Sequence, residues 1–196
     1  SKGMNLEKFI DLVKKIRKET QVPLVLMTYA NLLYRHGYDK FVSVVKKAGI
    51  DGLILPDMIL EESKDFLNAT HRSDVDAIFL ISPNTSAQRI RKIAKVSSGF
   101  LYLVSVFGTT GVQHHFKQYT LKAIKSAKKT LNGKISLGVG FGVSNPDQAR
   151  SILQNGADAV IVGSAFLRLI EKTPQEKIED KISSFAKNLK RATILE

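Results

Sequence analysis

A regular alternation of short apolar runs and amphipathic segments constrains the fold of this 196-residue chain more than any other feature. The apolar runs predict six strands, and the segments between them, with apolar residues every three or four positions, predict helices. The predicted strands cover residues 22–30, 52–56, 77–81, 100–106, 135–139 and the run that begins at residue 157. This α/β pattern predicts a parallel sheet, in which ligands gather beyond the carboxyl ends of the strands.

Cap residues predict where several helices begin and end. Asn5 is the predicted N-cap of a helical segment over residues 5–18. Gly49 follows a second helical segment over residues 38–48. Asn145 starts another helix, with Pro at its first position and Gln148 where a capping box places its second member. The segment 173–176, Thr-Pro-Gln-Glu, predicts a second capping box that opens a terminal helix.

Glycines end the last two predicted strands. Gly140, Gly142 and Gly163 leave backbone N–H groups uncovered by side chains, so an anionic oxygen can approach them. Ser164 would open a short helix whose first N–H groups add to this cradle. A phosphate site of this kind occurs after strands seven and eight of a (β/α)8 barrel.

Composition narrows the classes of function. The net charge is +12, but the lysines and arginines fall on separate amphipathic helices, which predicts solvated helix faces and no nucleic-acid surface. The chain has no Cys and no apolar run of the roughly 18 residues that a membrane span needs. We therefore expect a single domain over residues 1–196, in a cytoplasmic protein without metal or membrane partners.

Eight sequence blocks resemble, in order, those of the tryptophan synthase α chain. They include Tyr-Ala-Asn31, Leu-Pro-Asp57 and Gly-Thr-Thr-Gly111. The full set covers residues 23–31, 52–57, 61–63, 79–83, 99–105, 108–111, 140–144 and 162–165. The resemblance spans nearly the whole chain and implies a (β/α)8 TIM barrel, of which strands three to eight, about three quarters of the barrel, are present here.

The resemblance implies a lyase of tryptophan biosynthesis. The expected reaction is retro-aldol cleavage of indole-3-glycerol phosphate to indole and glyceraldehyde 3-phosphate. The partner would be the tryptophan synthase β chain, in a heterotetramer. No cofactor is expected in this chain, because pyridoxal phosphate belongs to the β chain.

The resemblance also assigns site residues. The phosphate site would comprise Gly111, Gly140, Phe141, Gly142, Gly163 and Ser164. The substrate pocket would include Met27, Tyr29, Ile54, Tyr102 and Ile161. A mobile loop is expected at Gly108, Thr109, Thr110 and Gly111, and Asp57 is expected to face the β chain.

The catalytic residues are the main departure from the family pattern. The acid/base Glu and its partner Asp are expected upstream of Ser1, so no catalytic residue is assigned here and this chain alone is expected to be inactive. Two alternatives stay open. One is a non-catalytic phosphate-binding module that binds and regulates a β chain, and the other is a different phosphate-binding barrel enzyme.

Overall fold

The computed structural model describes residues 5–104, 118–140 and 142–194. The chain forms two compact units. The first unit comprises Ser1–Phe79 with Lys95–Gly99, and the second comprises Leu80–Ala94 with Phe100–Glu196.

A three-stranded parallel sheet forms the centre of the first unit. Its order is β1 (Val25–Met27), β2 (Gly52–Ile54) and β3 (Asp76–Ile78). The helices are α1 (Leu6–Glu19), α2 (Ala30–His36), α3 (Tyr38–Ala48) and α4 (Lys64–Ser73), with a 3₁₀ helix at Leu60–Glu62. The largest fully buried side chains of this unit include Leu33, Phe41, Leu53 and Phe66.

A four-stranded parallel sheet forms the centre of the second unit. Its order is β4 (Leu80–Ile81), β5 (Phe100–Val104), β6 (Ser136–Gly140) and β7 (Ala159–Val160). The helices are α5 (Ala87–Ala94), α6 (Gln118–Leu131), α7 (Pro146–Gln154), α8 (Ser164–Lys172) and α9 (Ile178–Ala192), with a 3₁₀ helix at Gln175–Lys177. Leu101, Leu103, Ile124, Leu137 and Ile152 are buried in its core.

The predicted alternation of strands and helices is confirmed, with one difference in the strands. The third predicted strand is divided at Phe79 into β3, which pairs with β2, and β4, which pairs with β5. Phe79 itself is buried. Its ring packs edge-on against the ring of Phe66, with 6.2 Å between the ring centroids. The described part of the chain therefore contains seven short strands where the apolar runs predict six.

Two predicted helix ends are confirmed by their caps. The Asn5 side chain accepts a hydrogen bond from the Lys8 N–H at 2.9 Å, so it caps α1. Helix α3 ends at Gly49, which has a φ of +108°. Because left-handed backbone favours glycine, the sequence signal and the structure agree at this position.

The second predicted capping box is wrong. The Thr173 hydroxyl donates to the Leu169 carbonyl at 2.6 Å, so Thr173 belongs to the end of α8. A 3₁₀ turn at Gln175–Lys177 then leads into α9. The N-caps that follow are Pro174 for the 3₁₀ turn and Lys177 for α9, and neither makes a side-chain cap bond.

In both units, an aspartate forms hydrogen bonds that connect the amino ends of two neighbouring strands. We call this arrangement a tie. In the first unit, the Asp51 carboxylate accepts from the Leu24 N–H at 2.7 Å and from Arg17 at 2.6 Å. In the second unit, the Asp158 carboxylate accepts from the Leu137 N–H at 2.8 Å and from Lys128 at 2.6 Å. In each case an aspartate just before one strand binds the backbone at the start of its neighbour and a basic residue of the helix before that neighbour.

Among the residues that the structure describes, no helix is both long enough and apolar enough to cross a membrane.

Candidate phosphate site

Strands β6 and β7 bring two glycine segments to the same edge of the second sheet. The strands are parallel, with Val139 opposite Val160, and the Ile161 N–H donates to the Val139 carbonyl at 2.8 Å. Gly142 and Gly163 follow the ends of these strands. Because the strands are neighbours and parallel, both segments leave the sheet at its carboxyl edge.

Both of these glycines leave space in front of the backbone. Among the residues that the structure describes, a methyl group added at Gly142 or at Gly163 would meet no atom within 4 Å. Gly142 has a φ of +62°, a conformation that glycine adopts without strain. Neither position is filled by a described side chain, and the phosphate site itself stays a prediction.

The amino end of α8 adds backbone donors that have no partner among the described residues. Gly163 is the N-cap of the nine-residue helix and no side chain caps it. The Phe166 N–H turns back to the Gly163 carbonyl at 2.9 Å, while the N–H groups of Ser164 and Ala165 come before any intrahelical acceptor. The helix start carries a partial positive charge of about half a unit, which favours an anion there.

Buried residues contact the turn after β6 and fix its conformation. Val143 is only 1% exposed, and Gln148, on the first turn of α7, is 7% exposed. The Asn145 side chain caps α7 as predicted, by accepting from the Gln148 N–H at 2.9 Å. The predicted return bond is different, since Gln148 Oε1 accepts from the N–H and the hydroxyl of Ser144, at 2.8 and 3.1 Å.

Tyr102 covers Gly140 at the end of β6. A Cβ placed on Gly140 would lie 2.5 Å from the Tyr102 hydroxyl and 2.9 Å from a ring carbon. Burial of the half-buried phenol raises the pKa of Tyr102, so its hydroxyl stays protonated and can donate a hydrogen bond at neutral pH. Ile161, also predicted in the substrate pocket, is half-buried just after β7.

The predicted site residues of the first unit lie at the carboxyl ends of β1 and β2. Met27 pairs with Ile54 in the sheet; Met27 is about half exposed and Ile54 is buried. Tyr29 is 64% exposed. The Asp57 carboxylate accepts from the Ala30 N–H at 2.9 and 3.2 Å, so it fixes the start of α2.

Five predicted site residues lie outside the described residues, and for these the sequence expectation stands as it is. They are Gly108, Thr109, Thr110, Gly111 and Phe141. Within the described residues, no group of three or more His, Cys, Asp or Glu side chains is placed to hold a metal ion.

A separate cleft of about 690 Å³ in the second unit contains none of the predicted site residues. It is lined mainly by apolar side chains of α7, β7, α8 and α9, with Asp158 and Lys190 among them. Its lining includes the amino end of β7, whereas the glycine segments follow the carboxyl ends.

The sequence as a whole matches a known family. The family model described as tryptophan synthase alpha chain matches residues 1–194. The alpha chain of Methanococcus vannielii is 41% identical over 191 residues, which cover 96% of this chain and 73% of the relative. The alpha chain of Methanothermobacter thermautotrophicus is 40% identical over 192 residues, covering 97% and 70% of the two chains.

Solved structures with the same fold come from the same family. A structure of the tryptophan synthase α2β2 complex of Pyrococcus furiosus matches with a TM-score of 0.89 and 32% identity, over 96% of this chain and 75% of that chain. A structure of the alpha subunit from the same organism matches with a TM-score of 0.87 and 31% identity, over the same shares. The likeness confirms the predicted (β/α)8 barrel class. By sequence and by structure, the chain belongs to the tryptophan synthase alpha chain family.

Proposed function

We propose that the edge formed by Gly140, Gly142, Gly163 and Ser164 binds the phosphate of indole-3-glycerol phosphate. Retro-aldol cleavage of this compound to indole and glyceraldehyde 3-phosphate is the reaction of the family to which the chain belongs. Alpha chains need no cofactor for it, because pyridoxal phosphate is carried by the β chain. The observation that carries the proposal is the pair of open glycines beside the uncapped start of α8.

The chemistry of this edge suits a phosphate. A phosphate oxygen accepts hydrogen bonds and carries negative charge, while the edge offers backbone N–H groups, the Ser164 hydroxyl and the positive end of a helix dipole. Each such helix–anion interaction contributes about 0.3–1 kcal/mol when exposed, and up to about 2 kcal/mol when partly buried. Several donors acting together can therefore hold the phosphate without a lysine or arginine.

We assign the remaining predicted pocket residues to the rest of the substrate. In the second unit, Tyr102 and Ile161 present a phenol and an aliphatic side chain suited to an aromatic ring and its substituents. In the first unit, Met27, Tyr29 and Ile54 are proposed substrate contacts. The exposed surface of Met27 and Tyr29 at the strand ends supports this assignment, and Ile54 pairs with Met27 in the sheet.

The β chain is the proposed partner, in a heterotetramer within the cytoplasm. Tryptophan synthase of Pyrococcus furiosus forms an α2β2 complex. Asp57, exposed on the first unit and bonded to the start of α2, is the proposed contact. We propose no catalytic role for Asp57, whose carboxylate accepts from the Ala30 N–H, and none of the residues is proposed as the acid or base.

Binding of glycerol 3-phosphate, measured by isothermal titration calorimetry, tests the phosphate site directly. Wild type should bind saturably. Ser164→Asp places a negative charge at the start of α8 and should weaken binding by about tenfold or more, since like charges at close range cost upwards of 1 kcal/mol. Ser183→Asp, at an exposed position on α9, is the matched control and should bind as wild type does. Equal affinities of the two variants would overturn the proposed site.

Release of indole from indole-3-glycerol phosphate, with the β chain present, tests the assignment of catalysis. We expect no release by the 196-residue chain, although it should bind glycerol 3-phosphate. Release at a measurable rate would show that the acid and base lie within this chain. Stimulation of the β chain without any cleavage would support the alternative of a regulatory module.

A further inference from the structure

We propose that Gln148 is a positioning residue for phosphate binding, which fixes the turn from Gly142 to Ser144 through its side-chain oxygen. This inference rests on the proposed phosphate site. It concerns a residue that contacts the turn behind the open glycine, and it assigns Gln148 no contact with the substrate.

The position of Gln148 is fixed independently of the turn. It is the third residue of α7, after Pro146 and Asp147, and its N–H donates to the Asn145 side chain at 2.9 Å. The residue is 7% exposed, so its side chain is confined. A buried amide on a capped helix can therefore serve as a fixed reference point for the neighbouring backbone.

One oxygen of Gln148 holds both polar groups of Ser144. Oε1 accepts from the Ser144 N–H at 2.8 Å and from the Ser144 hydroxyl at 3.1 Å. A carbonyl oxygen has two lone pairs, so both bonds can form at once. Ser144 is thereby bound through its backbone and its side chain to a single atom.

The turn depends on the Gln148 hydrogen bonds because Gly142 has no side chain that could restrain its backbone. A glycine has the largest conformational freedom of any residue, and no atom would touch a methyl group at this position. A fixed conformation of the backbone at Gly142 therefore depends on neighbouring residues, and two of those that follow it are held in place. Val143, buried, and Ser144, bonded to Gln148, are those residues.

Pre-orientation of donors raises affinity because the ligand does not have to order them. Without the Gln148 oxygen, the Ser144 N–H has to find another acceptor, and the turn can rotate to reach water. The expected result is a weaker hold on phosphate with α7 still formed. Simple loss of stability would instead lower the melting temperature without a specific effect on affinity.

The test compares Gln148→Met with Asn145→Ala. The first variant keeps the approximate volume of the side chain and removes its amide, including the oxygen that accepts from Ser144, while the second removes the cap of the same helix and leaves the Gln148 and Ser144 side chains unchanged. Affinity for glycerol 3-phosphate is measured by calorimetry at a temperature at which melting curves show both variants fully folded. Amide NMR shifts of Gly142 and Ser144 report the turn in the absence of ligand.

We expect Gln148→Met to weaken binding about tenfold and to shift the amides of Gly142 and Ser144, as the loss of an acceptor for two donors implies. Asn145→Ala should lower the melting temperature, because α7 loses its cap, and should bind glycerol 3-phosphate within about threefold of wild type. Wild-type affinity in Gln148→Met, or an equal loss in both variants, would overturn the role of Gln148. If wild type itself did not bind glycerol 3-phosphate, the phosphate site would fail and this role with it.

Discussion

Gly140 shows how a single residue is fixed by its neighbour. The Tyr102 hydroxyl and ring occupy the space where a side chain on Gly140 would stand, at 2.5 and 2.9 Å from a Cβ. Gly163, which follows the adjacent strand, has no neighbour within 4 Å of a Cβ. The two glycines belong to the same predicted site, and only Gly140 is required for packing.

Gly140→Ala should therefore destabilise the chain by about 1–3 kcal/mol, the usual cost of an overpacked position. Gly163→Ala should change the free energy of unfolding by less than about 0.5 kcal/mol. Urea denaturation followed by circular dichroism measures both. Adding Tyr102→Leu to Gly140→Ala removes the clashing atoms, so the two substitutions should be less costly together than the sum of their separate effects. Additive effects would contradict the proposed contact.

Gln148 marks the limit of sequence reasoning at this scale. Its spacing from Asn145 predicts a capping box, and the Asn145 half of that prediction is confirmed. The other half depends on which N–H lies within reach of Oε1. That is Ser144, one residue before the cap, because the turn after Gly142 brings it there. Spacing alone carries no information about such a turn.

Among the helices, α3 could be predicted and α2 could not, and the difference lies in their ends. Helix α3 has a left-handed glycine at its end and buries Phe41, Val42 and Val45 at helical spacing. Helix α2 has only seven residues, and its N-cap, Tyr29, makes no side-chain cap bond. Its first N–H is satisfied by Asp57, 27 residues further along the chain, so no local pattern announces it.

Arg17 of α1 connects several backbone segments that are distant in sequence, and the helical pattern of α1 does not predict these contacts. Its guanidinium donates to the carbonyls of Gly49 and Val22, at 3.2 and 3.0 Å, and to the Asp51 carboxylate. A planar group with five donors can reach these acceptors together, whereas an ammonium group cannot. The tie joins α1 to the end of α3 and to the starts of β1 and β2.

Arg17→Lys should lower the free energy of unfolding by about 1.5–3 kcal/mol, the range for hydrogen bonds to charged groups. Arg72→Lys is the matched control, because Arg72 forms a comparable ion pair with Asp39 on the exposed surface. Its effect should stay below about 1 kcal/mol, as for other exposed pairs. Thermal or urea unfolding measures both variants. Because both substitutions keep the charge, an effect of Arg72→Lys as large as that of Arg17→Lys would contradict the specific role of the Arg17 bonds to the backbone carbonyls.

For the whole molecule, the alternation of strands and helices predicts the fold class because each apolar run must be covered by the segments beside it. The division at Phe79 was not predictable, because the run 77–81 looks continuous in sequence and only the pairing partners differ between its halves. A single domain over residues 1–196 remains a prediction beside the two compact units. The assignment of the site depends on the family, since glycines after strands are common to many phosphate-binding barrels.

The net charge of +12 makes the molecule sensitive to acid, and Asp158 adds a specific contribution. Burial acts to raise the pKa of Asp158, but hydrogen bonds from Lys128 and the Leu137 N–H, with the charge of Lys128, lower it below its ordinary value of 3.8. A carboxyl whose pKa is lower in the folded chain stabilises the fold above pH 3.8. This contribution is lost as the pH falls through the folded-state pKa.

Asp158→Asn should therefore destabilise the chain by about 1 kcal/mol at pH 7, since the ion pair is partly exposed to solvent. The difference from wild type should shrink when the pH is lowered through and below 3.8. Asp147→Asn, whose side chain is 92% exposed in its pair with Arg150, should show neither effect. Urea unfolding at a series of pH values gives the comparison. A constant difference at every pH would contradict the assigned hydrogen bonds.

The ties made by Asp51 and Asp158 lie at the amino ends of their strands, whereas the glycine segments follow the carboxyl ends. Selection for thermal stability and selection for binding of a new ligand would then act on separate sets of residues. Randomising Gly163 and Ser164, both exposed after β7, should yield a high fraction of folded library members, and randomising the starts of β2 and β7 a low one. In this sense the arrangement gives the chain evolvability at one edge and mutational robustness from the other.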